Sequence, residues 1–269
     1  MRKKRSVTRN VILTLFVLWI LLPVVVMAVW AFTERWAWPD LVPQVFSLRA
    51  VKELFGRGEA LAGIFLSSIM ISTVVAVLSA SIGTLTARAL VLYEFKGKGF
   101  MHFMAVLPFM VPATVFAMGI QVTFIKMGLN NTVAGVVLVH LICSLPYAVR
   151  LMTDGTTAVG ERLEEQARVL GASALQGFGK VTLPLLLPVL LSSFSMAYIV
   201  SFSQYFLTLL IGGGRVKTFT VVMVPYLQGG DRNIACVYSV IFFGVTLAVF
   251  TVFEKLAGVW GCLDGKEQE

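Results

Sequence analysis

Residues 161–188 read ERLEEQARVLGASALQGFGKVTLPLLLP and separate two long runs that contain almost no charge. The first part carries one apolar stripe at helical spacing, formed by Leu163, Ala167 and Leu170. Gly171 suits the left-handed conformation that ends many helices, and Ser173 followed by Gln176 matches a capping box. The stretch therefore predicts a short helix, a turn and a second helix that continues into an apolar run.

We call this helix–turn–helix stretch the hairpin. Six uncharged runs occur along the chain, at residues 11–32, 61–87, 103–125, 127–149, 181–214 and 233–253, and the hairpin follows the fourth. Each has the length of about 20 residues that a helix needs to cross a bilayer. Only 13% of the 269 residues are charged, whereas soluble domains carry about 25%. These features predict an all-α integral membrane protein with six transmembrane helices and the hairpin between the fourth and fifth.

Two of these runs are not expected to form straight helices. Pro108 and Pro112 interrupt the third run. Residues 181–214 would extend about 51 Å as one helix, well beyond the roughly 30 Å of bilayer hydrocarbon. Part of this run must therefore tilt, break or fold back near residues 212–214.

The positions of Lys and Arg predict the orientation. If the N-terminus is cytoplasmic, the inner segments carry fourteen of these residues and the outer segments eight. Cytoplasmic loops usually hold the excess, so both termini and the hairpin are expected in the cytoplasm. The same bias accounts for the net charge of +8 without nucleic acid, since no basic stripe with interleaved aromatic residues occurs.

This topology divides the chain into five parts. They are a cytoplasmic tail at 1–10, a first transmembrane helix at 11–32, an extracytoplasmic loop at 33–60, a five-helix core at 61–256 that includes the hairpin at 153–182, and a cytoplasmic tail at 257–269. A cleaved signal peptide is the competing interpretation of residues 11–32. The apolar region is too long for one, and no clear cleavage site follows.

The first hairpin helix could rest on lipid, cover the bundle or only link two spans. Helices that bind lipid are rich in Lys and Arg. This one has three acidic residues, Glu161, Glu164 and Glu165, against Arg162 and Arg168. Its charge therefore favours a protein partner.

The hairpin resembles the EAA signature of permease subunits from binding-protein-dependent ABC importers. The residues at the positions of this signature, at the family's spacing, are Glu165, Gln166, Ala167, Gly171, Val181, Leu183 and Pro184. Gln166 and Val181 depart mildly from the family pattern. The resemblance extends from the second span to the sixth.

This resemblance implies that the first hairpin helix docks on a separate ATPase, whose closure switches the spans between inward-open and outward-open states. The implied coupling residues are Leu163, Glu165, Gln166, Ala167, Leu170, Gly171, Leu183 and Pro184. The three stripe residues would either fill a groove of the partner or pack on the bundle. The implied partners are a dimer of ATP-binding subunits that holds ATP and Mg, a second permease subunit, homologous or identical, and an extracytoplasmic substrate-binding protein. The implied location is a bacterial cell membrane.

No enzyme motif accompanies this signature. The chain lacks G-x-x-x-x-G-K-[ST], H-E-x-x-H and G-x-S-x-G sequences. His102 and His140 are isolated and fit structural hydrogen bonds better than metal binding, and the three cysteines are far apart. We therefore expect a transport subunit with no ATPase site, metal or cofactor of its own. The alternative, a membrane-embedded lipid-modifying enzyme, would need ionisable residues clustered at one membrane depth.

Polar residues inside spans are often functional, although serines also serve helix packing. The candidate translocation-pathway residues are Gln121, Ser201, Gln204 and Tyr205. Residues 204–230 resemble permeases of polyamine, iron(III), thiamine and phosphonate importers. This weaker resemblance implies an outer re-entrant element and a polyamine or similar small solute as substrate.

Overall fold

The computed structural model describes residues 2–37, 39–56 and 58–264. Residue 1 and residues 265–269 of the predicted tails, Trp38 and Arg57 of the predicted outer loop, and the side chain of Cys262 lie outside the described part. The chain forms two compact units. One comprises Met1–Gly63 and Val222–Val245, and the other comprises Ile64–Val221 and Thr246–Glu269.

The first unit contains the helix α1 (Arg2–Ala31), two short strands and the helix α2 (Arg49–Gly56). The strands β1 (Thr33–Arg35) and β2 (Val45–Phe46) are antiparallel, with Thr33 opposite Phe46. The structure is otherwise predominantly helical, as the all-α prediction requires, and this short strand pair lies where the predicted outer loop folds back on itself. Most of the apolar part of α1 is exposed, and Ala31 at its end is buried.

The second unit is built on long helices joined by short connections. In chain order the helices are α3 (Gly58–Leu92), α4 (Lys98–Met110), α5 (Ala113–Lys126), α6 (Val133–Val159), α7 (Arg162–Val169), α8 (Ala174–Gly177), α9 (Leu183–Phe202), α10 (Phe206–Gly212), α11 (Phe219–Gly229) and α12 (Arg232–Asp264). A π-helical segment, Phe178–Thr182, links α8 to α9. Residues 58–63 of α3, 222–229 of α11 and 232–245 of α12 belong to the first unit.

Five described helices are long and apolar enough to cross a membrane. They correspond to the predicted first, second, fourth, fifth and sixth crossings. The predicted third crossing is two helices, α4 and α5, separated at Val111 and Pro112. Val111 is extended, with φ −90° and ψ 127°, because a residue before proline disfavours helical backbone angles.

The predicted fifth crossing breaks at two places. Its main helix, α9, ends at Phe202, and α10 begins at Phe206. The predicted break at residues 212–214 also occurs, since α10 ends at Gly212 and Gly213 is left-handed with φ 53°. The earlier break at residues 203–205 was not predicted.

The helix α6 forms the centre of the second unit, where it packs against α4, α9 and α10. One apolar cluster joins α3, α5, α6 and α10 through Val75, Ala117, Val139 and Ile211. A smaller cluster, Ala87, Met152 and Leu186, joins α3, α6 and α9. These clusters fix the helix ends from which the hairpin and the α9–α10 break extend.

Candidate functional site

The hairpin has the local structure that its sequence predicts. The helix α7 ends at Val169, and Gly171 follows in the left-handed conformation with φ 91°. The Ser173 backbone N–H donates to Gln176 Oε1 at 2.9 Å, and the Gln176 backbone N–H donates to Ser173 Oγ at 3.3 Å. The turn and the capping box are therefore confirmed.

The outward face of the hairpin is apolar and exposed. Leu170 is 88% exposed, Val169 87% and Leu175 84%. Beside them runs an open groove of about 540 Å³, lined by Arg162, Glu165, Gln166, Val169 and Leu170. Leu163 is also exposed and Ala167 is half-buried, so most of the predicted stripe does not pack on the chain's own bundle. We call the exposed set Leu163, Val169, Leu170 and Leu175 the hairpin ridge.

The inward face of the hairpin is charged and buried. Glu164, which is only 6% exposed, accepts hydrogen bonds on both carboxylate oxygens. Arg88 Nη2 lies 3.1 Å from Oε1 and 3.0 Å from Oε2, Arg168 Nη2 donates to Oε1 at 3.0 Å, and Thr182 Oγ1 donates to Oε2 at 2.9 Å. The Arg88 guanidinium stacks 4.6 Å from the centre of the Phe178 ring. We call these five residues the Glu164 cluster.

The cluster favours the ionised form of Glu164. Burial on its own raises the pKa of this carboxyl. The hydrogen bond from Thr182 and the hydrogen bond and charge of Arg88 oppose this effect, with a further hydrogen bond from Arg168. Their combined effect is larger, so the pKa of Glu164 is lowered below its usual 4.5. Glu164 is therefore a carboxylate held by three donors from three parts of the chain.

Sequence reasoning places Glu165 at the contact with the ATPase, which stays a prediction, and does not foresee that Arg88 pairs with Glu164. In the structure Glu165 is exposed on the groove, and its neighbour Glu164 holds the buried pair. Glu164 and Arg88 are 76 residues apart, so no local pattern connects them. A usable signal was the position of Arg88, the first charge after the uncharged run at 61–87. Leu183 and Pro184 start α9 directly after Thr182.

A second polar arrangement lies among the apolar helices and contains no charge. His140 on α6 bonds through Nδ1 to Ser201 Oγ at 2.9 Å and through Nε2 to Thr208 Oγ1 at 2.8 Å. These hydroxyls lie on α9 and α10, on opposite sides of the break at residues 203–205. Thr208 and Thr220 both donate to the Gln204 carbonyl at 2.8 Å. The structure thus gives His140 the hydrogen-bonding role expected for it.

Next to this break is a cavity of about 190 Å³ with an uncharged lining. Its lining residues are Pro108, Val111, Phe116, Cys143, Tyr147, Val200, Gln204, Phe206 and Leu207. Of the four predicted pathway residues only Gln204 is among them. Ser201 instead bonds to His140, Gln121 Nε2 donates to the Leu210 carbonyl at 3.4 Å, and Tyr205 precedes the first turn of α10. The four residues therefore do not share this cavity, and their role in the pathway stays a prediction.

Residues 79–257 match the family of binding-protein-dependent transport system inner membrane components. This match covers more than half of the chain, so the protein belongs to that family, the permease subunits of ABC importers. It is therefore a multi-pass membrane protein. Permeases of this family are transport subunits that are not enzymes and have no ATPase site of their own. Family membership excludes the lipid-modifying alternative.

The relatives differ in substrate. The molybdate/tungstate permease protein WtpB of Pyrococcus abyssi is 30% identical, covering 71% of this chain and 77% of the relative. The protein of that name from Pyrococcus furiosus is 33% identical, covering 71% and 76%. Other relatives are named for sulfate, ferric, spermidine/putrescine and 2-aminoethylphosphonate transport.

A solved structure has the same fold. A chain in the crystal structure of a bacterial ABC transporter involved in the import of the acidic polysaccharide alginate superposes with a TM-score of 0.71. It is 18% identical and the match covers 95% of this chain and 98% of that chain. This likeness concerns the fold alone.

Proposed function

We propose that this permease forms half of a translocation pathway and is driven through its hairpin by a separate dimer of ATP-binding subunits. The observation that carries the proposal is the hairpin ridge, an apolar surface on a polar segment outside the long apolar helices. Leucine and valine side chains that are more than four-fifths exposed leave apolar area in contact with water. A partner that covers the ridge removes that contact.

The chemistry of the groove beside the ridge supports a protein partner over lipid. Glu165 and Gln166 line it together with Arg162. An anionic lipid surface would repel Glu165, whereas a protein groove can match both charges. Glu165, Gln166 and Leu170 therefore form the docking contact in this proposal, while Gly171 shapes the turn and Leu183 and Pro184 pass the movement to α9.

The remaining partners follow from the family. A second permease subunit, homologous or identical, completes the pathway, and an extracytoplasmic binding protein delivers the substrate. In this proposal both termini and the hairpin face the cytoplasm of a prokaryotic cell, as the excess of Lys and Arg indicates. The ATP-binding subunits hold ATP and Mg, and this chain contributes neither.

For the substrate we propose a small oxyanion of the molybdate or sulfate kind. Relatives named for molybdate/tungstate and sulfate support it, and the uncharged cavity lined by Gln204, Tyr147 and Cys143 favours neither sign of charge. A polyamine, the expectation from the sequence, is the second candidate. The Haemophilus influenzae spermidine/putrescine permease PotC, 26% identical, supports that candidate.

The docking proposal is tested by capture of the ATPase. The complex is purified through a tag on this chain from gently solubilised membranes, and the bound ATP-binding subunit is quantified. We expect capture by the wild-type chain and loss of most capture in Leu170→Asp, since an acidic residue on the ridge would be desolvated on docking. Leu41→Asp is the matched control, because Leu41 is 90% exposed on the first unit. Capture that survives in Leu170→Asp, or its absence in the wild type, contradicts the proposal.

The substrate proposal needs a separate measurement. Cells that lack this importer are complemented with its genes, and uptake of labelled molybdate, sulfate and spermidine is followed. We expect uptake of an oxyanion and no uptake of spermidine. Saturable spermidine uptake that depends on this chain would replace the oxyanion with the polyamine candidate.

A further inference from the structure

The helix α7 has two faces with different chemistry. Its outward face carries part of the hairpin ridge, and its inward face carries Glu164. Among the described residues, the Arg88–Glu164 ion pair joins α7 to the long helix α3, whereas the other ion pair of α7, Arg168–Glu164, stays within the helix. A displacement of α7 would therefore change the distance between the Glu164 carboxylate and the Arg88 guanidinium.

The Glu164 carboxylate also ties α7 to the start of α9. Thr182, the last residue of the π-helical segment, donates to Oε2, and Phe178, the first residue of that segment, lies under the Arg88 guanidinium. One carboxylate thus contacts side chains at the ends of two long helices. The side chains of Arg88 and Glu164 are only 13% and 7% exposed, so water screens their attraction little.

The contact between Arg88 and Glu164 uses only part of the guanidinium group. A single nitrogen, Arg88 Nη2, makes both contacts with Glu164. The other nitrogen, Nη1, is buried and has no hydrogen-bond partner among the described residues. A guanidinium held through one nitrogen can turn about that contact and use the second nitrogen in a different arrangement. This is the kind of discrete rearrangement that a two-state joint requires.

We propose that the Arg88–Glu164 pair is the joint that carries movement of α7 into α3 during the transport cycle. The proposal rests on docking of α7 to the ATPase, and it adds two positioning residues that the signature does not include. Arg88 and Glu164 need not touch ATP, the ATPase or the substrate. They convert a push on α7 into displacement of a transmembrane helix.

The informative variant removes both charges together. Arg88→Gln alone would leave a buried carboxylate without its main partner and is expected to destabilise the chain, whereas Arg88→Gln with Glu164→Gln leaves neutral groups that still hydrogen-bond. A purely structural pair predicts that the double variant regains both stability and transport. A joint predicts that stability returns while transport remains uncoupled. Arg88→Lys, which keeps the charge and one donor nitrogen, should lie between the double variant and the wild type.

The complete importer is reconstituted in vesicles, and ATPase capture, ATP hydrolysis and substrate uptake are measured for each variant. We expect the double variant to capture the ATPase like the wild type and to lose about tenfold in uptake per ATP, within the roughly 5- to 150-fold range of coupling between sites. The matched control is Arg150→Gln, which removes an exposed ion pair of the same type with Asp154. The control should keep the wild-type ratio.

Two results would overturn the proposed joint. One is a wild-type uptake per ATP in the double variant, and the other is an equal loss of uptake per ATP in Arg150→Gln. If the double variant does not accumulate, Arg88→Lys gives the same test, because it keeps the charge but leaves a single donor nitrogen to hold Glu164. A lower uptake per ATP in Arg88→Lys supports the joint, and the wild-type value overturns it. Absence of ATPase capture by the wild-type chain contradicts the docking proposal instead, so the two failures are distinguishable.

Discussion

Two regions of this permease interrupt its long helices, and they are held by different chemistry. At the hairpin, the carboxylate of Glu164 is bound by Arg88, Arg168 and Thr182. At the break between α9 and α10, His140 is bound by the hydroxyls of Ser201 and Thr208. Charged groups are costly within hydrocarbon, whereas neutral donors and acceptors can satisfy an interrupted helix there. The position of each interruption relative to the apolar spans thus explains the residues that hold it.

The largest effect on stability is expected at the hairpin. Glu164→Ala leaves the Arg88 guanidinium buried without its carboxylate, and we expect a loss of about 3–5 kcal/mol in unfolding free energy. Unfolding in mixed detergent micelles measures it. Asp154→Ala is the control, because it breaks an exposed pair with Arg150 and should cost less than about 1 kcal/mol. Equal losses in the two variants would remove the distinction between a buried and an exposed ion pair.

A somewhat smaller loss is expected at the helix break. His140→Ala leaves the Ser201 and Thr208 hydroxyls without their shared partner and opens a cavity, at a cost of about 2–4 kcal/mol. The same unfolding measurement applies, with His102→Ala as control, since His102 is exposed on α4. A change below about 0.5 kcal/mol, the usual scatter of surface substitutions, would show that the neutral network does not hold the break.

The sequence predicts local features of both regions and misses their long-range partners. The turn at Gly171 and the capping box of Ser173 depend on neighbours within a few residues, so they were predictable. The Arg88–Glu164 contact depends on how α3 packs against the hairpin, which no short pattern encodes. The break at residues 203–205 has no glycine or proline to mark it. It is stabilised by His140, which lies about 60 residues earlier and was visible only as an isolated polar residue.

A substitution at Gly213, directly after α10, tests backbone strain and steric fit near the His140 network without removing a hydrogen-bonding side chain. Gly213 is left-handed with φ 53°, and a Cβ at this position would collide with Asn131 Oδ1. Gly213→Ala should therefore cost about 1–2 kcal/mol, the usual penalty for a left-handed non-glycine residue. Gly119→Ala is the control, because α5 has open space there and alanine favours helix. Equal stability of the two variants would mean that neither the left-handed backbone nor the collision with Asn131 is costly at this position.

The smallest predicted effect is the pH dependence of the charged region. The folded-state pKa of Glu164 lies below 4.5, so its ionised form contributes stability that is fully present above that value. As the pH falls through the folded pKa, the carboxylate takes up a proton and this contribution is lost. The unfolding free energy of the wild type should therefore fall more steeply below pH 4.5 than that of Glu164→Gln, which has no proton to bind at this position. Unfolding curves of both proteins across this range measure the difference. Parallel curves would mean that Glu164 titrates alike in the folded and unfolded chains, and the cluster would then not favour its ionised form.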